Sequence, residues 1–216
     1  VAVDTNKISE ARKIIRDTQT KKIKVGYKFG LEFFYSNGGR KFISSLKNKI
    51  IFLDLKFNDI PNTLSSALKS LKNLKITYLT VHLSSGLSAL RALKKASKNI
   101  KIAGVTTLTS LNNKDLKQIG YNKKVNELVL HQAKLAKKAK LDAIVCSGHE
   151  IRLVKKVFKK EIITPGIKIK NTQNDQKRIM KPKDAFAAGS DWLVIGRTIT
   201  NGNIKKNIKY FLENCL

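Results

Sequence analysis

Cysteine is nearly absent from this chain: only Cys146 and Cys215 occur, far apart and without the close spacing a metal site uses. So few thiols exclude a disulfide-stapled scaffold and fit a reducing compartment, so a cytoplasmic location is expected. No apolar run approaches the roughly 20 residues that a membrane-spanning helix needs, and no membrane partner is expected. The opening VAVDTNKISE enters a strand directly, without the charged start and apolar core of a secretory leader. Neither a GxGxxG nor a GxxxxGKS/T phosphate loop is present, and no linker, repeat or low-complexity block divides the chain. Acidic residues are scarce as well, 15 against 44 Lys and Arg, which gives a formal net charge of +29. Within the basic set arginine is the rare member, 7 against 37 lysines spread along the whole chain. Arginine is the side chain favoured for forked recognition of phosphates and base edges. No interleaved basic–aromatic motif or recognition helix accompanies the charge. It therefore reads as solvated surface, with salt-sensitive adhesion to polyanions but no specific nucleic-acid partner.

What is present is a repeating rhythm. Strand candidates are VAVD (1–4), KIKVGY (22–27), KIIFLDLK (49–56), YLTVHL (78–83), IKIAGVTTL (100–108), DAIVCS (142–147), EIITPGI (161–167) and DWLVIG (191–196). Between them lie segments with apolar residues at helical spacing, such as ISEARKIIRD and ELVLHQAKLAKKAK. IPNTLSSALKSLKNL carries Pro61 and Asn62 at a helix entry. Eight such units in 216 residues average 27 residues each, the pace of an α/β (β/α)8 TIM barrel near its lower size limit. One domain spanning 1–216 is expected. An open doubly wound sheet is the alternative, weakened by the missing phosphate loop. The polar stretch KIKNTQNDQKR (168–178) follows the seventh strand, where a mobile loop over an active site is expected.

The stretch FLDLKFNDIPNT sets Asp54, Lys56 and Asp59 into an otherwise apolar strand and its following turn. Strand side chains alternate, so Asp54 and Lys56 share one face while Ile51, Leu53 and Leu55 take the other. They fall at the C-terminal end of the third strand, the catalytic rim of a barrel. Lys24 in IKVG is placed at the end of the second strand and Asp4 at the end of the first, so several strands deliver charge to one mouth. Burying such groups costs several kcal/mol per ion unless they are well paired. A structural salt-bridge network is the alternative to chemistry. An ammonium between two carboxylates keeps its proton, which favours charge stabilisation and proton delivery over Schiff-base formation. The segment IGR places Gly196 and Arg197 after the eighth strand, at the usual phosphate site of a barrel. His82, His131 and His149 do not form a metal triad, and no metal is expected; His82 reads as support for the end of the fourth strand.

FLDLKFNDIPNT closely resembles the signature of orotidine 5'-phosphate decarboxylases of the bacterial type, an Asp-x-Lys-x-x-Asp core followed by Ile-Pro-Asn-Thr. VAVD, IKVG, VHLSSG, GVTTLTS, IVCSG, ITPGI, DQKRIM and LVIGR resemble further blocks of that family in the same order, so the likeness covers nearly the whole chain. The resemblance implies decarboxylation of orotidine 5'-monophosphate to UMP, the last step of de novo UMP synthesis, without a cofactor. It implies Lys56 as proton donor to C6 of the pyrimidine, flanked by Asp54, with Lys24 and Asp59 completing an alternating charged network. Asp59 and Thr63 would enter the neighbouring site of a homodimer, and Ile60 between them is expected among the substrate-binding residues. Asp4 would hold the ribose hydroxyls, Thr109 would face the pyrimidine, and Gln176, Gly196 and Arg197 would hold the 5'-phosphate. Lys168 stands where the family places Arg, so a forked phosphate contact becomes a point charge, and Asn58 stands where many relatives carry His. Sugar-phosphate decarboxylases and aldolases of the same superfamily use Mg2+ and carry a Glu at the position given to Lys24, where an ammonium repels a metal.

Overall fold

The structure, a computed structural model, describes residues 1–169 and 180–216. Each apolar run feeds a helix that returns the chain to the end where the run began, so all the strands point the same way. The order is β1 (Ala2–Val3), α1 (Ile8–Asp17), β2 (Gly26–Gly30), α2 (Leu31–Tyr35), α3 (Gly39–Ser45), β3 (Ile50–Phe57), α4 (Pro61–Ser70) and β4 (Tyr78–His82). It continues with α5 (Gly86–Ala96), β5 (Lys101–Val105), α6 (Asn113–Gln118), α7 (Val125–Lys138), β6 (Ala143–Val145), α8 (Ile151–Val157) and β7 (Glu161–Thr164). After the undescribed residues come α9 (Pro182–Ala188), β8 (Trp192–Leu193), α10 (Arg197–Thr200) and α11 (Ile204–Asn214). The eight strands pair in parallel in sequence order. The Ala2 N–H donates to the Ile195 carbonyl just beyond β8 at 2.8 Å, which joins the first strand to the last. This is the (β/α)8 arrangement expected from the rhythm of the sequence.

Local chemistry accounts for the elements. The segment ISEARKIIRD forms α1 residue for residue, with Ala11, Ile14 and Ile15 buried at helical spacing. Pro61 opens α4 at its first position, where its ring pre-sets φ and its missing N–H costs nothing. Asn112 and Asp115 close a reciprocal capping box on α6. In the longer strands alternate residues serve two cores. Ile51, Leu53, Leu79, Ile102, Ile144 and Ile162 pack outward against the helices. Phe52, Tyr78, Ala103, Ala143 and Ile163 fill the barrel with Trp192 against them. Tyr78 meets Phe52 and Trp192 edge-on, at centroid distances of 6.0 and 6.2 Å. These rings form a floor beneath the C-terminal mouth.

The second strand departs from expectation. The sequence pattern predicts a strand over 22–27, but β2 is Gly26–Gly30, pairing Gly26 with Ile50 and Gly30 with Asp54. Ile23 and Val25 alternate with lysines and mimic a strand, yet they are only partly buried, whereas Tyr27 and Phe29 are enclosed. Burial of the two aromatic side chains outweighs the weaker aliphatic alternation. The correction moves Lys24 to the N-terminal side of β2, exposed, and puts Lys28 on the inner face toward the mouth.

Below the floor the Tyr78 hydroxyl donates to Glu161 Oε2 at 2.6 Å, and Lys101 pairs with the other oxygen of Glu161. Burial, followed by the hydrogen bond and charge of Glu161, pushes the Tyr78 phenol up to about 12. A folded value above the ordinary 10.0 means stability that is complete below pH 10 and is lost as pH rises toward 12. An ultraviolet titration of the folded protein is expected to show a phenol ionising near pH 12 that Tyr78→Phe removes. Superimposable curves for the two proteins would contradict this account of the floor.

Candidate active site

The C-terminal strand ends open into a cavity of about 290 Å³. Four charged side chains of alternating sign line one side of it. Asp4 follows β1, Lys28 lies in β2, and Asp54 and Lys56 lie in β3. Lys28 Nζ stands 3.3 Å from Asp4 Oδ1 and 3.6 Å from Asp54 Oδ2. Lys56 Nζ is 2.9 Å from the same Asp54 Oδ2. The Asp54 side chain is only 13% exposed, so one enclosed carboxylate oxygen is shared by two ammoniums. Burial alone would raise the Asp54 carboxyl. The charges of Lys28 and Lys56 and the hydrogen bonds from Lys56 and Thr80 outweigh it and hold the carboxyl below its ordinary range. His82, at the end of β4, is driven toward its neutral form by burial and then by the charge of Lys56, with Asp54 opposing.

Lys56 owes its position to a break in β3. Pairing with β4 runs Phe52 to Tyr78 and Leu53 to Leu79, then resumes with Phe57 opposite Val81. Within this bulge Lys56 adopts a φ of +47°, in the left-handed region that side chains disfavour. The regular two-residue alternation that places Asp54 and Lys56 on one face is therefore interrupted, and the bulge carries Lys56 Nζ back over Asp54.

The cavity also gathers Thr109, Lys168 and Gly196, from the loops after β5, β7 and β8, and Arg197, the first residue of α10. Lys168 is buried although cationic. A Cβ on Gly196 would stand 3.3 Å from Asp4 Oδ2 and 3.5 Å from the Ala2 side chain, so glycine keeps this corner open. The Lys168 N–H donates to the Met180 carbonyl at 3.1 Å, and the Met180 N–H donates to that of Gly166. Gln176 and the rest of the expected loop, beyond Lys168 and Ile169, lie outside the described residues.

Three expected site residues do not line this cavity. Asp59, Ile60 and Thr63 are exposed on the loop after β3 and the first turn of α4. Asp59 Oδ1 accepts the Ile60 N–H at 2.7 Å, and Asn58 and Ser85 link this loop to the one after β4 at 2.8 Å. Lys24 is the fourth exception and lies toward the opposite end of the barrel; Lys28 takes the place given to it. The alternation in Gly-Tyr-Lys-Phe-Gly, with a lysine between two aromatics, was the available signal for Lys28. Thr80, buried behind Asp54, carried no signal that distinguishes it from a β-branched strand filler.

The pairing makes a direct prediction. Lys28→Met is expected to raise the Asp54 carboxyl in a carbon-detected NMR titration, whereas Lys24→Met leaves it unchanged. The opposite pattern would restore Lys24 to the mouth.

Known proteins resemble this chain along nearly its whole length. A sequence profile described as Orotidine 5'-phosphate decarboxylase / HUMPS family matches residues 1–207. The orotidine 5'-phosphate decarboxylase of Wolbachia pipientis (strain wPip) is 41% identical over 208 residues, covering 94% of this chain and 91% of that protein. That of Coxiella burnetii (strain RSA 493) is 38% identical over 213 residues, covering 93% and 88%. The crystal structure of orotidine 5'-phosphate decarboxylase from Lactobacillus acidophilus superposes with a TM-score of 0.84 at 30% identity, covering 98% of this chain and 96% of that one. The enzyme of Methanocaldococcus jannaschii complexed with inhibitor BMP shares the fold, with a TM-score of 0.78 at 23% identity, covering 99% and 96%. On this breadth of match, which runs along nearly the whole barrel, the chain belongs to the orotidine 5'-phosphate decarboxylase / HUMPS family.

Proposed function

We propose that this chain decarboxylates orotidine 5'-monophosphate to UMP without a cofactor, with Lys56 delivering the proton to C6, in the pyrimidine pathway of the cytoplasm. The observation that carries the reading is the Lys56 ammonium, 2.9 Å from Asp54 at the mouth of a barrel whose full-length relatives are named for this reaction. In the step, the bond from C6 to the carboxylate breaks, CO2 departs and the electron pair stays on C6. A preorganised cation at that carbon stabilises the charge as it develops. Lys56 then gives one N–H proton to C6 and is reprotonated from solvent. Asp54 lies beside the departing carboxylate and holds Lys56 in place.

The other end of the cavity suits a phosphate. Arg197 supplies a forked donor and Lys168 a point charge, with Gly196 leaving room for close approach. Gln176 is assigned to the same phosphate, Thr109 to the pyrimidine and Asp4 to the ribose hydroxyls. Exposure of Asp59, Ile60 and Thr63 supports their reaching the neighbouring site of a homodimer, and Ile60 is an apolar side chain left 65% exposed. The magnesium-dependent sugar-phosphate reading is disfavoured by Lys28, which puts a second ammonium against Asp54 where a metal would have to bind.

The primary test follows the loss of orotidine absorbance and the appearance of UMP, with and without EDTA. Turnover that survives EDTA is expected; loss restored by Mg2+ would favour the rival. Lys56→Ala is expected to lower kcat by about 10²–10⁴-fold, the range for a positioned proton donor. Arg197→Ala is expected to act mainly through KM, with kcat/KM falling about 10–100-fold. Mixing inactive Lys56→Ala and Asp59→Ala proteins is expected to recover activity at about a quarter of the sites, since a two-fold dimer of one of each rebuilds one intact site. No recovery after subunit exchange would sink the shared-site proposal.

A further inference from the structure

Thr80 lies in the middle of β4 with no exposed surface. Its hydroxyl oxygen accepts the Lys56 N–H at 2.8 Å and donates its proton to Asp54 Oδ1 at 3.0 Å. Both partners belong to the bulged part of β3. The register there jumps from Leu53 opposite Leu79 to Phe57 opposite Val81, which leaves the Lys56 N–H without a ladder partner. A buried, unpaired N–H is costly, and so is a non-glycine residue at positive φ. Valine would fill the space of Thr80 equally well but would leave both the N–H and the carboxylate oxygen short of a partner. A hydroxyl in an enclosed strand therefore has a specific reason to be there.

We infer that Thr80 is a positioning residue, a buried hydroxyl clamp that ties the Lys56 backbone to the Asp54 carboxylate and so fixes the ammonium over the carboxylate. The inference rests on the decarboxylation reading for its kinetic consequence, but the clamp itself is a property of the free protein. Thr80 does not line the cavity, so it acts through its two partners and not on the substrate. Asp54 faces Lys28 from β2 and Lys56 from β3, with Asp4 beyond Lys28 and His82 at the end of β4 nearby. All of these groups remain when the hydroxyl is removed. The lost donor then makes Asp54 easier to protonate, so the acid limb of activity moves to higher pH.

The experiment compares the wild-type protein with Thr80→Val and Thr80→Ser, using thermal unfolding to confirm the fold. Asp54 is followed by carbon-detected NMR titration without substrate, and kcat and KM are measured across pH. Thr80→Val is expected to raise the Asp54 midpoint, to lower kcat about 10–100-fold and to change KM less than about 3-fold, as the loss of a charge-assisted hydrogen bond that orients a catalytic group. Thr80→Ser is expected to recover most of kcat and the wild-type titration. A Thr80→Val protein with the wild-type titration and wild-type kcat overturns the clamp. So does a Thr80→Ser protein as impaired as Thr80→Val, because the methyl and not the hydroxyl would then matter. If Thr80→Val does not fold, Thr80→Ala against Thr80→Ser makes the same comparison without the branch, and equal behaviour of those two overturns the proposal. A wild-type protein that releases no CO2 removes the functional reading, while the Asp54 titration still decides whether the clamp exists.

Discussion

One carboxylate organises the mouth of this barrel. Asp54 is nearly enclosed, and a lone ion there would cost several kcal/mol. Two ammoniums from adjacent strands share one of its oxygens, while a hydroxyl from β4 serves the other. Asp4, Lys28, Asp54 and Lys56 together carry no net charge, so they can be packed closely without strong repulsion. Among the described residues the far side of the cavity differs, because Lys168 and Arg197 are both cationic. The cavity is thus neutral and alternating at one end and positive at the other. On the proposed reading, that polarity would orient a nucleotide monophosphate with a second anionic group, its phosphate toward the cationic end and its reactive carbon toward the alternating one.

This arrangement is bought with local strain. Lys56 stands in a backbone conformation that costs on the order of 1–3 kcal/mol for a residue with a side chain, inside a strand that loses its register. The barrel tolerates it because the strand is held on either side of the break. Below, Phe52 packs into the aromatic floor with Tyr78; above, Phe57 recovers its pairing with Val81. Leu53 and Leu55 stay buried against the helices. A strained segment anchored at both ends has few alternatives to relax into, so the backbone that carries the ammonium is held in place. That is the condition under which an electrostatic group lowers a barrier without first paying to reorganise.

Much of this was legible because strand chemistry is periodic. The alternation in Ile-Ile-Phe-Leu-Asp-Leu-Lys located β3 and its inward charges, and the helical spacing of ISEARKIIRD located α1. The pattern around the second strand misleads for a reason equally physical. Lys-Ile-Lys-Val satisfies a two-residue period as well as Gly-Tyr-Lys-Phe-Gly does, and glycines read more readily as strand ends than as strand members. Which segment pairs with β3 depends on which side chains the helices enclose, and no local pattern contains that. Thr80 was hidden for a different reason. A threonine in a strand reads as a β-branched filler, and its hydroxyl gains a task only from a bulge in the neighbouring strand. The whereabouts of Asp59 is a third kind of case: the residue is exposed in the single chain, and the proposed role in a neighbouring site concerns a second copy that no pattern within one chain describes.

The extreme positive charge is separable from the site. Exposed Lys21, Lys22, Lys47, Lys72, Lys75, Lys98, Lys140 and Lys159 sit in the loops that lead from helices into strands, at the end of the barrel opposite the mouth. Acidic groups on that side are paired locally: Asp142 with Lys94, Asp191 with Lys155, and Glu161 with Lys101. A strand of five residues rises roughly 16 Å, about twice the screening length at physiological salt. Charges at the far end therefore contribute little to the potential at Asp54, which is set by its immediate partners. Surface lysines of this kind change the net charge of the chain without altering the pairing at the mouth. Composition and chemistry therefore point in different directions: the net charge says little about function, and the local spacing of charge around Asp54 says much.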